Sequence, residues 1–287
     1  MSRDLRFGVI GWPLGHTLSP AFQQAALDAL GVPAVYRALP TTPDALESRL
    51  FEARRGAWRG LNVTIPHKLR VAELVDSRTA AAERLDAVNT VDARDGRLIG
   101  DNTDVEGFAR ALTEHGSFDP SGARAVLVGA GGAGRAVAWA LADLGVAHLT
   151  LANRRRDRAD ALAAALGGQP LGVTSSGLDD PALERELRTA ALLVNATSLG
   201  MAGGPDPLAA PLPLSWLHDE LFVCDIVYRP AETPLLAHAR SIGCRVLGGL
   251  EMLVLQGAAS LERWLGRPAP VGTMMEAARH ALAAPGA

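Results

Sequence analysis

The feature that most constrains the fold is a glycine-rich turn between an apolar strand and a helix. Residues 125–128 form a continuous apolar run, residues 129–134 read G-A-G-G-A-G, and a helical pattern follows to Gly145. The helix carries an apolar stripe at i, i+4 and i+7, formed by Val137, Leu141 and Leu144. A G-x-G-x-x-G turn in this setting lets backbone N–H groups approach a pyrophosphate. With a second strand at residues 148–152, the stretch predicts a Rossmann-type dinucleotide-binding sheet.

Composition limits the class of protein. A chain of 287 residues is long enough for two domains of ordinary size. Hydrophobic content of 48% and a net charge of −3 are typical of a globular protein and do not favour nucleic acid as a partner. No apolar run approaches the roughly 18 residues of a membrane span, and residues 2–4 lead directly into a strand pattern, so we predict neither a membrane partner nor a signal peptide. Cys224 and Cys244 lie in apolar runs without metal-ligand spacing, which predicts buried thiols, a cytoplasmic location and no metal site.

Strands and helices alternate along the remainder of the chain. In the first third, strands are predicted at 5–10, 35–39 and 60–65, and helices at 20–30 and 44–55. A hairpin is predicted from 87–91 and 97–99, with an Asp95-Gly96 turn and a helix from 104 to about 115 after it. Strands at 191–196 and 221–227 extend the dinucleotide-binding part, and helices at 250–265 and 273–283 follow. The predicted fold class is therefore α/β, with two α/β domains.

Lys68 is the only lysine, whereas the other 27 of the 28 cationic side chains are arginines. An ammonium can lose its proton in a protein and a guanidinium cannot, so the isolated lysine suggests proton transfer. A compositional bias toward arginine would explain the count without a function. Lys68 lies just after the predicted strand 60–65, at the edge where α/β folds bind ligands. His67 is a rival acid or base, while Asp104 and Asn89 could be an N-cap and a turn residue.

Two hydroxyls precede the first predicted helix. Ser19 followed by Pro20 is typical of an N-cap and a first-turn proline. The amino end of a helix also attracts anions, and Thr17 and Ser19 could both donate to one carboxylate or phosphate.

The end of the strand at 148–152 favours NADP over NAD. An NAD site would place an acidic residue there for the ribose 2′-hydroxyl. The chain instead continues with Asn153, Arg154, Arg155, Arg156, Asp157 and Arg158. Arginine can bind a phosphate bidentately. The helix macrodipole disfavours cations at the amino end of a helix, so something else, such as an anionic ligand, should favour these arginines there.

Taken in order, these motifs resemble the shikimate dehydrogenase family over nearly the full length. The matching stretches are G-H-T-L-S-P at 15–20, N-V-T-I-P-H-K at 62–68, A-V-N-T at 87–90, G-D-N-T-D at 100–104, the glycine turn at 129–134, N-R at 153–154, N-A-T-S at 195–198 and G-L-E-M-L-V-L-Q at 249–256. The resemblance implies NADPH-dependent reduction of 3-dehydroshikimate to shikimate, in aromatic amino-acid biosynthesis. It also implies an N-terminal substrate domain, residues 1–104, completed by the C-terminal helices at 249–287, with a doubly wound NADP domain at 105–248.

By motif position, the resemblance assigns residues to three roles. The implied catalytic pair is Lys68 and Asp104, with Asp104 orienting Lys68 and a ring hydroxyl. The implied substrate contacts are Thr17, Ser19, Thr64, Asn89, Asp104, Tyr228 and Gln256. The implied cofactor contacts are Gly129, Ala130, Gly131, Gly132, Ala133, Asn153, Arg154, Arg155 and Arg158, with Ile226 and Gly249 as backbone contacts near the nicotinamide. The family usually has serine where Thr17 stands, and the extra methyl group leaves the tolerance for ring substituents open.

Other functions compete with this one. A family member acting on quinate or an amino-shikimate differs only in substrate. Methylene-tetrahydrofolate dehydrogenase has a similar two-domain outline but leaves the hydroxyl-rich first loop unexplained. A non-catalytic NADP-sensing module would not need the isolated lysine. The sequence leaves open whether the protein forms a homodimer.

Overall fold

The structure is a computed structural model and describes residues 5–15 and 17–284. The sequence-based statements about residues 2–4 and His16 therefore lie outside the described residues. The chain divides into two units, one formed by Met1–Gly107 with Val254–Ala287 and the other by Phe108–Leu253. Both division points lie inside helices, Asp104–Arg110 and Gly249–Leu265, so the chain passes from one unit to the other along a helix each time.

The first unit contains a mixed six-stranded sheet. Its strands are β1 (Leu5–Gly11), β2 (Ala34–Pro40), β3 (Gly60–Val63), β4 (Ser77–Arg78), β5 (Thr90–Arg94) and β6 (Arg97–Asp101), in the order β2-β1-β3-β5-β6-β4. The β1, β2 and β3 strands run parallel, whereas β5 is antiparallel to both β3 and β6. Its helices are α1 (Ser19–Ala29), α2 (Leu46–Arg54), α3 (Lys68–Leu74), α4 (Ala80–Leu85), the first part of α5 (Asp104–Arg110), most of α10 (Gly249–Leu265) and α11 (Val271–Ala283).

Apolar residues on the central strands form the core of this unit. Ile10 and Leu61 are fully buried, and they belong to one cluster with Val71, Val88 and Val91. Burial of successive residues along β1 and β3 is expected for inner strands covered on both faces.

The β5–β6 hairpin turns at Asp95 and Gly96, which both have positive φ, 51° and 74°. Two such residues match the right-handed twist of the flanking strands, and the Asp-Gly pair predicted this turn.

The C-terminal helices pack on the first unit, as predicted. Trp264 of α10 covers Gly60, where a Cβ would overlap its ring, and its Nε1–H donates to the Val91 carbonyl at 3.0 Å. The α11 helix packs against α1.

The second unit contains an all-parallel six-stranded sheet. Its strands are β7 (Arg124–Val128), β8 (His148–Ala152), β9 (Gly172–Ser176), β10 (Leu192–Asn195), β11 (Phe222–Asp225) and β12 (Arg245–Leu247), in the order β12-β11-β10-β7-β8-β9. Its complete helices are α6 (Gly132–Asp143), α7 (Arg156–Ala165), α8 (Pro181–Arg188) and α9 (Pro234–Ser241). This order reverses between β7 and β10, which is the doubly wound Rossmann arrangement and confirms the predicted fold class.

Several local predictions needed correction. Ser19 is not the N-cap of α1, because the Leu18 carbonyl already accepts from Ala21 N at 3.0 Å and the helix begins at Ser19. The strand predicted to residue 65 ends at Val63, since the chain turns at Thr64, whose carbonyl accepts from His67 N at 3.0 Å. Asp104 begins α5 itself, and Asn102 Oδ1 accepts its N–H at 3.1 Å.

The remaining whole-chain predictions concern thiols and membranes. Cys224 and Cys244 are buried free thiols, as predicted. Within residues 5–15 and 17–284, no helix is both long and apolar enough to cross a bilayer.

Candidate active site

Lys68 and Asp104 form an ion pair in the first unit. Lys68 Nζ lies 2.5 Å from Asp104 Oδ2, and the two side chains are 24% and 9% exposed. Each residue is the first of its helix, α3 or α5, and each follows a loop at one end of the mixed sheet. The pair is largely withdrawn from water, so its charges interact more strongly than they would on an open surface.

Asn89 and Gln256 complete a polar cluster around this pair. Asn89 Nδ2 lies 2.8 Å from Asp104 Oδ1 and 3.3 Å from Gln256 Oε1. Asn89 Oδ1 accepts from Thr103 N–H at 2.8 Å, which fixes which way the amide points. The structure therefore gathers four of the predicted site residues, although their positions in the sequence span 189 residues, from 68 to 256 inclusive.

Close helix packing brings Gln256 into the cluster. Gly107 of α5 lies directly against the backbone of Gln256 on α10, where an added Cβ would be 2.7 Å from Gln256 N. Any larger residue at 107 would separate the two helices.

Thr17 and Ser19 lie at the start of α1. Thr17 Oγ1 accepts from Ser19 N–H at 3.3 Å, and Ser19 is buried. Burial raises the pKa of the Tyr36 phenol well above its usual value, and a hydrogen bond with Ser19 opposes that rise. Tyr36 donates to Asn62 Oδ1 at 2.7 Å, so Ser19 is linked to the centre of the mixed sheet.

His67 and Thr64 flank the lysine. His67 is buried, and its Nε2 lies 2.7 Å from the Thr41 carbonyl oxygen. A carbonyl only accepts, so this nitrogen carries a proton and donates it to the backbone. That bond gives His67 a structural task and makes it a weaker rival to Lys68. Thr64 lies in the turn before Lys68, with its methyl group against Gly11.

The sequence did not point to the hydroxyls beneath the cluster. Thr90, Thr103 and Ser260 are all buried and hydrogen-bonded to one another or to Asn89. Thr90 and Thr103 stood inside the recognised motifs at 87–90 and 100–104, and Ser260 lies one helical turn after Gln256. The i, i+4 spacing was the available signal for Ser260.

The glycine turn of the second unit has two kinds of glycine. Gly129 has φ 109°, and a Cβ there would lie 2.8 Å from the Ala196 carbonyl carbon and oxygen. A Cβ on Gly134 would overlap the Gly129 carbonyl. Gly131 and Gly132, by contrast, face open space. Because Gly129 and Ala196 follow β7 and β10, the open part of the turn lies at the point where the strand order reverses.

This open turn fits a dinucleotide pyrophosphate. The α6 helix begins at Gly132, and the first N–H groups of a helix have no intrahelical partner. Ala130 N–H donates to Asn153 Oδ1 at 3.3 Å, and Asn153 Nδ2 donates to the Arg155 carbonyl at 2.7 Å. Asn153 thereby ties the glycine turn to the arginine-rich segment after β8, while Ala133 lies in the first turn of α6.

The arginine-rich segment lies at the start of α7, with Arg155 as the N-cap residue. Arg155 pairs with Asp157 at 2.7 Å, and that guanidinium lowers the pKa of the Asp157 carboxyl. In the described part of the chain, Arg154 and Arg158 have no ionic partner. Both arginines belong to the segment that begins at Asn153, whose side chain contacts the glycine turn at Ala130.

Asp225 organises the segment that carries Ile226 and Tyr228. It is buried at the end of β11 and accepts from Asn195 Nδ2 at 2.9 Å, Val227 N at 3.0 Å and Thr233 Oγ1 at 2.7 Å. Burial raises the pKa of Asp225 to about 6 despite these three bonds.

Gly249 lies against this segment, to which Tyr228 belongs. A Cβ on Gly249 would overlap the Ile226 carbonyl, so only glycine fits. Burial raises the pKa of the Tyr228 phenol, and the Arg229 charge opposes the rise.

Metal-ligating side chains are not clustered in the described chain. Among residues 5–15 and 17–284, no group of three or more His, Cys, Asp or Glu side chains is placed to hold a metal ion.

The two groups of residues described above are those of a nucleotide-dependent dehydrogenase. One is an open glycine turn at the switch point of a Rossmann sheet, and the other is a lysine–carboxylate pair on a separate mixed-sheet unit.

Comparison with known proteins narrows this class to one family. Residues 9–91 match the shikimate dehydrogenase substrate binding domain, residues 111–199 match the shikimate/quinate 5-dehydrogenase model, and residues 249–279 match the shikimate 5′-dehydrogenase C-terminal domain. The shikimate dehydrogenase (NADP(+)) of Moorella thermoacetica is 45% identical over 277 residues, covering 96% of this chain and 93% of that protein.

Two solved structures show the same likeness. The shikimate 5-dehydrogenase of Thermus thermophilus, in complex with NADP(H) and shikimate, is 43% identical with a TM-score of 0.87, over 96% of this chain and 99% of that one. The quinate dehydrogenase of Corynebacterium glutamicum, in complex with NAD, is 34% identical with a TM-score of 0.87, over 96% and 98%. The chain belongs to the shikimate dehydrogenase family.

Proposed function

We propose that this protein is an NADP-dependent shikimate dehydrogenase, which reversibly reduces 3-dehydroshikimate to shikimate in aromatic amino-acid biosynthesis. The observation that carries the proposal is the Lys68–Asp104 pair, gathered with Asn89 and Gln256. Relatives named shikimate dehydrogenase (NADP(+)) at 45% and 46% identity support both the substrate and the cofactor.

Lys68 is the proton donor and acceptor. NADPH, when bound, supplies the hydride that the ketone carbon receives. The oxygen that becomes an alkoxide then takes a proton from the Lys68 ammonium, and neutral Lys68 removes that proton in the oxidative direction. Asp104, 2.5 Å from Nζ, holds the ammonium in place and accepts a hydrogen bond from a ring hydroxyl of the substrate.

Hydroxyl and amide groups bind the remainder of the substrate. Thr17 and Ser19 at the start of α1 donate to the carboxylate, together with Tyr228. The N–H to Oγ1 contact between Ser19 and Thr17, 3.3 Å, already brings these two residues together. Thr64, Asn89 and Gln256 bind the ring hydroxyls, and the amides supply both donors and acceptors for them.

The second unit binds NADP. The open face of Gly131 and Gly132 admits the pyrophosphate, since neither residue carries a side chain that would fill the space. Arg154 and Arg158 bind the 2′-phosphate, because their charges have no ionic partner in the described residues while Arg155 is paired with Asp157. The Ile226 and Gly249 backbone lies on the nicotinamide side.

The test is a four-way absorbance assay of reduced cofactor, with shikimate or quinate as substrate and NADP or NAD as oxidant. We expect the highest kcat/KM with shikimate and NADP. Quinate belongs in the assay because a quinate dehydrogenase is 34% identical to this chain. Preference for quinate would reassign the substrate within the family. No turnover of either substrate, with NADP still bound, would contradict the catalytic proposal.

A further inference from the structure

Ser260 on α10 is buried beneath the substrate-binding side chains. It is fully inaccessible to solvent, and its Oγ lies 2.9 Å from Asn62 Nδ2, 2.7 Å from Thr90 Oγ1 and 3.2 Å from Thr103 Oγ1. It also lies 3.0 Å from the carbonyl oxygen of Gln256, one turn earlier on the same helix.

The direction of one of these bonds is fixed by chemistry. An amide nitrogen can only donate, so Ser260 Oγ accepts from Asn62 Nδ2. Thr90 donates its own proton to Asn89, so the serine proton is shared between Thr90 Oγ1 and the Gln256 carbonyl, and the remaining contact, with Thr103 Oγ1, uses the second lone pair. Every atom of the hydroxyl is engaged, and replacing it would leave buried partners without a bond.

One line of hydrogen bonds connects Ser260 through Asn62 to the hydroxyls that we propose bind the carboxylate. Asn62 Oδ1 accepts from the Tyr36 hydroxyl at 2.7 Å, and Tyr36 is in turn hydrogen-bonded to Ser19. Tyr36 and Asn62 are both buried, so the line of bonds from Ser260 to Ser19 runs through the interior.

A second line of hydrogen bonds connects Ser260 through Thr90 and Thr103 to the Lys68–Asp104 pair. Thr90 Oγ1 donates to Asn89 Oδ1 at 2.9 Å, and Thr103 Oγ1 reaches the same oxygen at 3.2 Å. Asn89 then donates to Asp104, which holds Lys68. Ser260 joins the two lines of bonds through its short contacts with Asn62 and Thr90, 2.9 and 2.7 Å, whereas the direct contact between Asn62 Nδ2 and Thr90 Oγ1 is longer, 3.4 Å.

We propose that Ser260 is a positioning residue whose hydroxyl sets the spacing between the carboxylate-binding hydroxyls at the start of α1 and the Lys68–Asp104 pair. The substrate must bridge that spacing, so a change in it affects both binding and turnover. This inference rests on the proposed function and adds a residue that does not itself touch the substrate.

The first test is the steady-state kinetics of Ser260→Ala with shikimate and NADP. We expect kcat to fall and KM for shikimate to rise, lowering kcat/KM by roughly tenfold, the effect of about one buried hydrogen bond. KM for NADP should stay within about twofold, because its proposed contacts belong to the second unit. If Ser260 has only a structural role, Ser260→Ala should lower Tm and leave both kinetic constants unchanged.

Two further variants separate the hydroxyl from the volume of the side chain. Ser260→Thr and Ser260→Val have nearly the same shape, and only the first keeps the hydroxyl. We expect the threonine variant to be several-fold more active than the valine variant, even if both pack imperfectly. This pair also decides the matter if Ser260→Ala does not fold.

Ala258→Gly is the matched stability control, because Ala258 is equally buried on the same helix. It should lower Tm by roughly 2–4 °C with unchanged kcat and KM. Wild-type kinetics in Ser260→Ala, or equal activity of the threonine and valine variants, would overturn the positioning role alone. A wild-type protein that does not oxidise shikimate would overturn the proposed function as well.

Discussion

Replacing Gly107 with alanine tests how closely α5 and α10 must pack. A Cβ at this position would lie 2.6 Å from Gln256 Cβ, 2.7 Å from Gln256 N and 2.8 Å from Gln256 Cα. Carbon atoms in contact normally lie about 3.5 Å or more apart. Two of the three atoms are backbone and cannot rotate away, so the helices must separate locally by roughly 0.8 Å.

The expected effect on stability is small because two contributions oppose each other. Alanine in a helix is favoured over glycine by about 1 kcal/mol, whereas forcing an extra methyl group into packed surroundings costs about 1–3 kcal/mol. The free energy of unfolding should therefore stay the same or fall by up to about 2 kcal/mol. The protein should remain folded.

The expected effect on activity is larger. Gln256 lies 3.3 Å from Asn89 Nδ2, and most of an ångström of displacement would break that contact. Misplacement of about 1 Å can cost on the order of 10² in rate, so kcat/KM for shikimate should fall by between about 10 and 10².

Gly272→Ala in α11 makes the same chemical change where a Cβ meets open space, and it should leave kcat/KM unchanged. Wild-type kcat/KM in Gly107→Ala would refute the claim that this helix spacing positions Gln256.

Four further predictions concern single sites. Lys68→Arg keeps the charge but cannot act as a base, so kcat should fall by on the order of 10²–10⁴; near wild-type turnover would rule out proton transfer by Lys68. Thr17→Val with Ser19→Ala should mainly raise KM for shikimate, since each lost hydrogen bond to a carboxylate is worth roughly 1.5–3 kcal/mol. An unchanged KM would show that this loop only begins the helix and does not bind the substrate. Arg154→Ala should weaken NADP binding, measured by calorimetry, and leave NAD nearly unaffected; equal efficiency of the wild type with both cofactors would contradict this. Because burial raises the pKa of Asp225 from 3.8 to about 6, the folded state holds this proton more tightly than the unfolded chain. Its contribution to stability is therefore full below about pH 4 and lost as the pH rises through about 6. With Asp225→Asn, the free energy of unfolding, measured in denaturant titrations, should no longer fall in this way between about pH 4 and 7. An identical pH dependence of stability in both proteins would refute the assignment of this effect to Asp225.

The Rossmann part could be predicted because local patterns specify it. The strand before Gly129 is a continuous apolar run, as expected for a strand buried on both faces, and the glycines mark the tight turn that follows. The short helices α3 and α4, of 7 and 6 residues, were not predicted, because so few residues show no clear helical period. Ser19 was misassigned by one position because both it and Leu18 are compatible with the helix start.

The candidate site was predictable only where chemistry is unusual at the level of sequence. A lone lysine is visible by counting, and a run of arginines after a strand is visible by position. The hydroxyls beneath the cluster were not visible, because their contacts join distant parts of the chain: Asn62 and Ser260 are 198 positions apart, and Thr90 and Ser260 are 170 apart. A serine in a largely apolar helix looks ordinary until the fold places it among polar partners.

The scarcity of lysine makes the protein a natural single-label system. Reductive methylation with ¹³C-formaldehyde would place labelled methyl groups on Lys68 and the amino terminus alone, because the chain has no other lysine. Lys68 is 24% exposed, so the reagent has access to it. A single side-chain resonance would then report directly on the Lys68–Asp104 contact during titration with shikimate, without any engineered probe.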